Sequence, residues 1–296
     1  MAIYESGIAA IVRMVIVLLV TIPVLILFGL SLRKPGYSQD NTRRWVNFTK
    51  PALGFWGLSQ ALQIISVIII LAAGLGSTYE YDHDAAVTVL VYLAALFEYW
   101  AHACIFLAQF YLAHALTQLR GEDYLRASAY RKGRIVALIT ASLIAILAFV
   151  FFCLALSVSF DSSYRSSSGR RLRRLVAQSL DVACLGLLVL SAIGAVVYSA
   201  KSRKKALGSS VHKAANILVT ISSLWLVRVV WLILSWFFGG RGYYYGFIII
   251  VILDIFAGII LTFSILTMLY LLATRPVYGM SRAEDRRKLS QGQQSV

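Results

Sequence analysis

Residues 134–160 read RIVALITASLIAILAFVFFCLALSVSF, and no charged side chain follows Arg134 within this stretch. At a rise of about 1.5 Å per residue, such a run is long enough as an α-helix to cross a hydrocarbon core about 30 Å thick. Its apolar residues are continuous and do not alternate with polar ones, as those of a lipid-facing β-strand would. The stretch therefore predicts a transmembrane helix and an all-α fold.

Six further apolar runs of similar length predict a polytopic bundle of seven transmembrane helices. Composition agrees, because 14% of the 296 residues are charged, whereas soluble domains carry about 25%. We predict one transmembrane domain at 1–273 and a disordered, basic, cytosolic tail at 274–296. The predicted spans are about 8–32, 51–75, 85–119, 134–160, 175–199, 211–238 and 244–273.

The distribution of Lys and Arg between the spans predicts the orientation of the bundle. The first, third and fifth connections and the tail carry twenty basic residues near the spans, and the opposite side carries six. Because basic residues are enriched on the cytoplasmic side, we predict an N-terminus outside and a C-terminus in the cytosol. The exception is the basic segment Arg165 to Arg174, which we interpret as a flexible outer loop lying against headgroups, with capture of an anionic ligand or partner as the alternative.

The formal net charge of +15 does not point to nucleic acid, because the basic residues are clustered between apolar runs. There they set topology and contact anionic headgroups. The predicted partners are therefore the lipid bilayer, anionic lipids at the inner loops and tail, and an unidentified small ligand. We predict a multi-pass protein of the plasma membrane or another secretory-pathway membrane.

Ionisable side chains inside the predicted spans are the first candidates for function. A charged group at the centre of a bilayer costs roughly 2.5–3.5 kcal/mol on insertion scales, so such groups usually face the bundle interior. Judged by span direction, this set lies at mid-depth or toward the outer side. Its members are Arg13, Glu98, His102, Asp181, Arg228 and Asp254.

Polar spacing in the third span predicts a polar centre in the bundle. Glu98, His102 and Gln109 follow the spacing i, i+4 and i+11, which places them on one helix face. Gln60 and Gln63 in the second span lie at mid-depth, where interhelical amide hydrogen bonds to this stripe are expected. Glu98 and His102 could form an internal hydrogen bond, or could bind a ligand or relay protons.

Arg228 and Asp254 complete the predicted cluster and have two readings. One is an ion pair that fastens the sixth span to the seventh. The other is a ligand cavity in which Arg228 holds an anionic group while Asp254 and Glu98 receive a polar or cationic one. Its walls would include three aromatic residues, which could equally be ordinary packing: Tyr99, Trp225 and Trp231.

The sequence argues against several kinds of chemistry. No nucleophile, base and orienting group can be assembled from spacing, so we predict that the protein is not an enzyme. His102 and His114 share one helix and cannot supply opposed haem ligands, and no set of residues matches a zinc site. Residues 244–273 contain no lysine for a retinal Schiff base. We therefore predict no cofactor and no metal.

The topology resembles that of seven-helix receptors, but the rhodopsin-like motifs are missing. The third span ends HALTQLRGEDY, without the acidic-Arg-aromatic triplet, and the seventh ends LTMLYLLATRPVY, without AsnPro-x-x-Tyr. The short N-terminus with Tyr4 and Gly7, the seven spans and the basic tail look like seven-span integral membrane proteins predicted from fungal genomes. That resemblance covers the whole chain and implies no activity or site residues.

Three functions remain open on this evidence. The first is a receptor-like protein with a small-ligand cavity in the outer half of the bundle, formed by spans two, three, six and seven. The second is a proton-coupled transporter or permease that uses Glu98, His102 and Asp254 as its relay. The third is a structural bundle whose polar residues hold helices together.

Overall fold

The computed structural model describes residues 2–33, 43–75, 80–118, 127–160, 167–206, 212–239 and 247–274. Consecutive helices occupy these ranges, and the last span combines α7, a π-helical segment and α8. The tail predicted after Thr274 lies outside the described residues. The bounds are α1 Ala2–Leu32, α2 Arg44–Leu75, α3 Glu80–Gln118, α4 Ala127–Ser159, α5 Ser167–Ala206, α6 His212–Gly239, α7 Phe247–Leu253, the π-helical segment Asp254–Ile260 and α8 Leu261–Thr274.

Seven helices in the described ranges are long and apolar enough to cross a membrane, which confirms the predicted all-helical class. Their outward faces carry large apolar side chains; Leu19, Val136 and Leu190 are each more than 60% exposed. Apolar surface on this scale would be unfavourable in water, and lipid tails cover it without cost. The fold is therefore compatible with a multi-pass integral membrane protein in contact with the bilayer.

Helices α1 to α5 each begin five to eight residues before the predicted span, and two of them, α2 and α5, correct a specific expectation. We predicted the second span from Pro51, but α2 begins at Arg44 and contains that proline. Neighbouring helices allow a proline inside a membrane helix. The basic segment predicted to be a flexible loop belongs largely to α5, which begins at Ser167. Arg171, Arg173 and Arg174 therefore project from a helix, and Arg165 lies outside the described residues.

Helix α3 occupies the centre of the bundle. It contacts α2, α4, α5 and α6, and its middle is buried, with Ala101, Ile105, Ala108 and Leu112 fully enclosed. Consecutive spans contact each other and run in opposite directions. We call the end where α1, α3, α5 and α7 begin the N-terminal end of the bundle, and the end where α8 finishes the C-terminal end. The Arg43 guanidinium donates to the Ala273 carbonyl at the C-terminal end (2.7 Å).

Two glycines let α1 approach α2 closely. A Cβ at Gly54 would lie 3.0 Å from the Phe28 ring, and one at Gly57 would lie 3.1 Å from Leu25 Cδ2. Small residues at this spacing allow membrane helices to pack by close van der Waals contact. Gly29 of α1 differs, because a Cβ there would meet no atom within 4 Å.

We expect Gly54→Leu to lower the free energy of unfolding by about 1–3 kcal/mol, because the added side chain forces α1 away from α2. Gly29→Leu is the matched control and should change it by less than about 0.5 kcal/mol. Denaturant titration of both variants in detergent micelles measures the difference. Equal stability of the two variants would contradict the close-approach role of Gly54.

Candidate functional site

Two ion pairs link four helical elements near the middle of the bundle. Arg228 of α6 pairs with the Glu98 carboxylate of α3, and the Arg228 side chain is 6% exposed. Arg13 of α1 contacts Asp254 Oδ2 of the π-helical segment at 2.8 Å, and its side chain is 41% exposed. The Trp231 indole donates to the other Asp254 oxygen at 3.3 Å. The first pair is therefore enclosed, and the second lies toward the bundle surface.

These pairs correct the predicted ion pair between Arg228 and Asp254. Each of the two residues has another partner, because α3 and α1 supply a carboxylate and a guanidinium at the same depth. Gly258 lies between them. A Cβ at Gly258 would be 2.9 Å from Asp254 Oδ1 and 3.4 Å from Arg228 Nη1. The four charges therefore form adjacent pairs around a glycine.

The π-helical segment supplies this arrangement. Residues 254–260 follow i→i+5 hydrogen bonding, which widens the helix and inserts one extra residue into the turn. Asp254 begins the segment, and the absent side chain at Gly258 leaves room for the Asp254 and Arg228 side chains. Thr262 Oγ1 then donates to the Gly258 carbonyl (2.7 Å), which satisfies a backbone acceptor at the end of the segment.

A cavity of about 320 Å³ lies between α3, α5 and α6 toward the N-terminal end. Asp181 of α5 lines it and accepts a hydrogen bond from the Tyr99 hydroxyl (2.5 Å), while the Trp236 indole also approaches this carboxylate. Among the described residues, no Lys or Arg forms an ion pair with Asp181. The cavity wall therefore carries a carboxylate with hydrogen-bond donors but no counter-charge.

His102 forms a second unmatched polar group on the same wall. The residue is 1% exposed, and neither ring nitrogen has a hydrogen-bond partner in the described part of the chain. It lines the α3–α5–α6 cavity together with Glu98, Tyr99, Asp181 and Ser235. A buried polar group without a partner is unfavourable, so a hydrogen bond to this ring from a group in the cavity would be stabilising.

A second cavity of about 350 Å³ lies next to the first, between α1, α2 and α3. Val91, Ala95 and Glu98 line both cavities. Their spacing along α3 is four and three residues, so they form one stripe of that helix. Arg13 and Gln63 line the second cavity as well. The Glu98 carboxylate thus borders two cavities while it is paired with Arg228.

The structure divides the predicted polar cluster. Glu98 and Arg228 are paired, His102 lies beside Glu98 in the α3–α5–α6 cavity, and Asp254 lies next to Arg228 around Gly258. Gln109 shares the α3 face but is eleven residues from Glu98, about 16 Å along the axis, and lines a separate cavity. No hydrogen bond among the described residues joins Gln60 or Gln63 to the α3 stripe, and Gln60 Oε1 is buried without a partner.

The aromatic lining also differs from the prediction. Tyr99 lines the α3–α5–α6 cavity, but Trp225 and Trp231 do not. Trp225 is fully buried and stacks on Phe106, with ring centroids 6.0 Å apart. Arg228 lines neither of the two cavities in the N-terminal half of the bundle. It is therefore not placed to hold an anionic ligand group, as the predicted ligand cavity required.

Two site features were missed by sequence reasoning. Asp181 was placed near the outer end of its span without a partner. Its partner is Tyr99, which directly follows Glu98 on α3. Arg13 was noted without its pairing to Asp254. The depth of the two residues could have predicted the Arg13–Asp254 pair, because both come a few turns after their helices begin at the same end.

Among described residues, no group of three or more His, Cys, Asp and Glu could hold a metal ion.

We expect Arg228→Met to lower the free energy of unfolding by about 3–5 kcal/mol, because it leaves the Glu98 carboxylate, which is 19% exposed, without its counter-charge inside the bundle. The double variant Glu98→Leu/Arg228→Met should recover most of this loss, because both charges are removed. Denaturant unfolding in detergent micelles measures the free energies of unfolding for this double-mutant cycle.

The more exposed ion pair provides the matched control. Arg13→Met should lower the free energy of unfolding less than Arg228→Met does, because the Arg13 side chain is 41% exposed and that of Arg228 6%. Additive losses in the Glu98/Arg228 cycle would show that the two side chains do not stabilise the fold as a pair.

No protein-family model, no curated protein and no solved structure matches this chain. A proposal for its function therefore rests on the geometry of the two cavities and the ion pairs.

Proposed function

We propose that this chain is a receptor-like membrane protein that binds a small molecule carrying a positively charged amine in the α3–α5–α6 cavity. Its action is binding rather than catalysis. The observation that carries the proposal is the unmatched polar lining of this cavity, where Asp181 has no counter-charge and His102 has no hydrogen-bond partner among described residues.

The charges of the surrounding helices favour a cation over an anion. Arg228 neutralises Glu98 and Arg13 neutralises Asp254, which leaves Asp181 as the unpaired carboxylate of this set. In a medium of low dielectric constant a charge without a partner is costly, so a cationic group gains by entering beside it. The Tyr99 hydroxyl already orients the Asp181 carboxylate. An amine would therefore meet a carboxylate that is fixed in position.

The dimensions of the cavity suit a small ligand. A volume of about 320 Å³ is at the lower end of the range for small-molecule sites, about 300–1,000 Å³. Apolar side chains line the rest of the cavity, including Tyr92, Phe151 and Leu232. A ligand with one amine, one group that bonds to His102 and a small apolar or aromatic body satisfies this lining. On the predicted orientation it would enter from outside the cell, as a receptor ligand does.

We expect Asp181→Asn to weaken binding of such an amine by roughly ten- to a hundredfold, because hydrogen bonds to charged groups contribute about 1.5–3 kcal/mol. The variant keeps the shape of the side chain and can still accept from Tyr99. A thermal-shift screen of aryl-alkyl amines against the purified protein, followed by equilibrium binding of the hits, provides the measurement.

Asp254→Asn is the matched control for this test. It removes a carboxylate of the same kind, but one that lines neither cavity of this half. Amine affinity should change by less than about threefold in this variant if binding depends on Asp181 and not on total charge. Equal losses in both variants, or no amine that stabilises the wild type, would refute the proposed ligand class.

A proton-coupled permease is the second candidate, and the position of Glu98 supports it. This carboxylate borders both cavities of the N-terminal half, so it could exchange its pairing with Arg228 for a proton from either cavity. Ionisable groups within membrane spans often serve as proton relays. This candidate differs from the receptor because it requires transport of protons and substrate across the membrane.

We expect a permease to acidify proteoliposomes loaded with a pH-sensitive dye when substrate is added, and Glu98→Gln to abolish the signal while protein incorporation stays equal. Asp181→Asn should then reduce substrate affinity and leave residual flux at high substrate concentration. Saturable amine binding without any flux in the wild type supports the receptor and excludes the permease.

A further inference from the structure

A third cavity lies outside the region discussed so far, on the C-terminal half of the bundle between α3, α4 and α5. Its volume is about 490 Å³. Val136 and Leu190, at 62% and 68% exposed, are among its lining residues, so it opens sideways through the apolar outer face of the bundle. No charged side chain lines it. Its occupant must therefore be uncharged and must enter from the hydrocarbon phase.

Gln109 is the polar group that indicates a ligand in this cavity. The residue is 1% exposed, and both its amide oxygen and its amide nitrogen are buried without a hydrogen-bond partner among the described residues. A side-chain amide offers two donors and an acceptor. One hydroxyl group satisfies both atoms, because it donates to Oε1 and accepts from Nε2. The ligand should thus carry a hydroxyl group at the level of Gln109.

The depth of Gln109 fits a hydroxyl near the membrane interface. It lies eight residues beyond Ala101, the midpoint of the Ala85–Thr117 span, or about 12 Å along the helix axis. The hydrocarbon core extends about 15 Å from its centre. Phe106 and Leu187 line the cavity closer to the centre of the bundle. Gln109 is therefore near the interface, and the lining nearer the centre combines apolar side chains with the hydroxyl groups of Thr140 and Ser191.

One part of the cavity wall is formed by small residues from all three helices. These residues are Ala113, Gly133, Ala137, Gly194 and Ala195. Phe110 and Tyr198 form a stacked aromatic pair at the side, with centroids 5.5 Å apart and ring planes inclined by 15°. The small-residue part of the wall leaves room for a bulky rigid ring system, which would pack against it by van der Waals contact.

We propose that the α3–α4–α5 cavity binds a membrane sterol, with the sterol hydroxyl on the Gln109 amide and the ring system along the Gly194 wall. This site is independent of the amine site, since none of the residues named here lines the α3–α5–α6 cavity. A sterol is uncharged, enters laterally from the bilayer, carries one hydroxyl group at the interface and extends a rigid apolar body toward the membrane centre.

The test uses the full-length protein in phosphatidylcholine vesicles that contain a photoactivatable cholesterol analogue. After illumination, mass spectrometry should locate the label on α3, α4 or α5, and excess cholesterol should remove it while excess diacylglycerol should not. Label elsewhere on the chain, or displacement by diacylglycerol but not by cholesterol, would overturn the assignment.

Two glycines of α5 give a matched pair of variants. A Cβ at either Gly186 or Gly194 would meet no atom within 4 Å, but Gly194 lines the cavity and Gly186 does not. Gly194→Leu should fill the cavity and abolish labelling, while Gly186→Leu should label like the wild type. Equal labelling of both variants would refute the site, and unfolding in sterol-free micelles confirms that each variant is folded.

A third variant tests the hydrogen bonds. Gln109→Leu keeps the approximate volume and removes the amide, so cholesterol affinity should fall by about fivefold or more, as for the loss of two hydrogen bonds. Affinity equal to that of the wild type would show that the amide does not hold the hydroxyl.

Discussion

A guanidinium enclosed at the centre of the bundle sets the conditions for the rest of the structure. Arginine stays protonated in proteins, so Arg228 cannot avoid the cost of burial by losing its charge. Glu98 supplies the compensating carboxylate, and the pair fixes the rotation of α6 against α3. The adjacent turn must then accommodate the guanidinium. Gly258 and the wider π-helical segment do so, and Asp254 is left to pair with Arg13 on the other side.

The sequence predicted the features that depend on composition along the chain, which are the number of helices and the ionisable residues within them. Continuous apolar runs indicated seven helices, because a helix satisfies its own backbone hydrogen bonds in lipid. The same runs identified the ionisable residues inside them. Their pairing depends on how each helix is rotated and which helix lies beside it, and no periodicity within one span contains that information. Arg228 and Asp254 lie on consecutive spans at one depth, yet α3 and α1 supply their partners.

The polar stripe on α3 illustrates a second limit. Helical spacing correctly places Glu98, His102 and Gln109 on one face, but a face of a long helix passes several neighbours. Near His102 that face meets α5 and α6, whereas near Gln109 it meets α4 and α5. A single helix therefore contributes to a polar cavity and to an apolar one. The π-helical segment has no signal in the sequence, since its Gly258 is also compatible with an ordinary membrane helix.

Side-chain contacts connect the two halves of the molecule. Phe106 lines the α3–α4–α5 cavity and stacks on Trp225, which precedes Arg228 by three residues on α6. Arg228 in turn holds Glu98 at the border of both cavities of the N-terminal half. Contiguity alone does not establish coupling, which requires that both sites favour the same one of two arrangements. Arg228 is the residue on this path that lies near two carboxylates, because its Nη1 and Asp254 Oδ1 both border Gly258 while its Nη2 is on Glu98. A change of ligand occupancy in either half that displaced this side chain would therefore disturb the contact between α3 and α6.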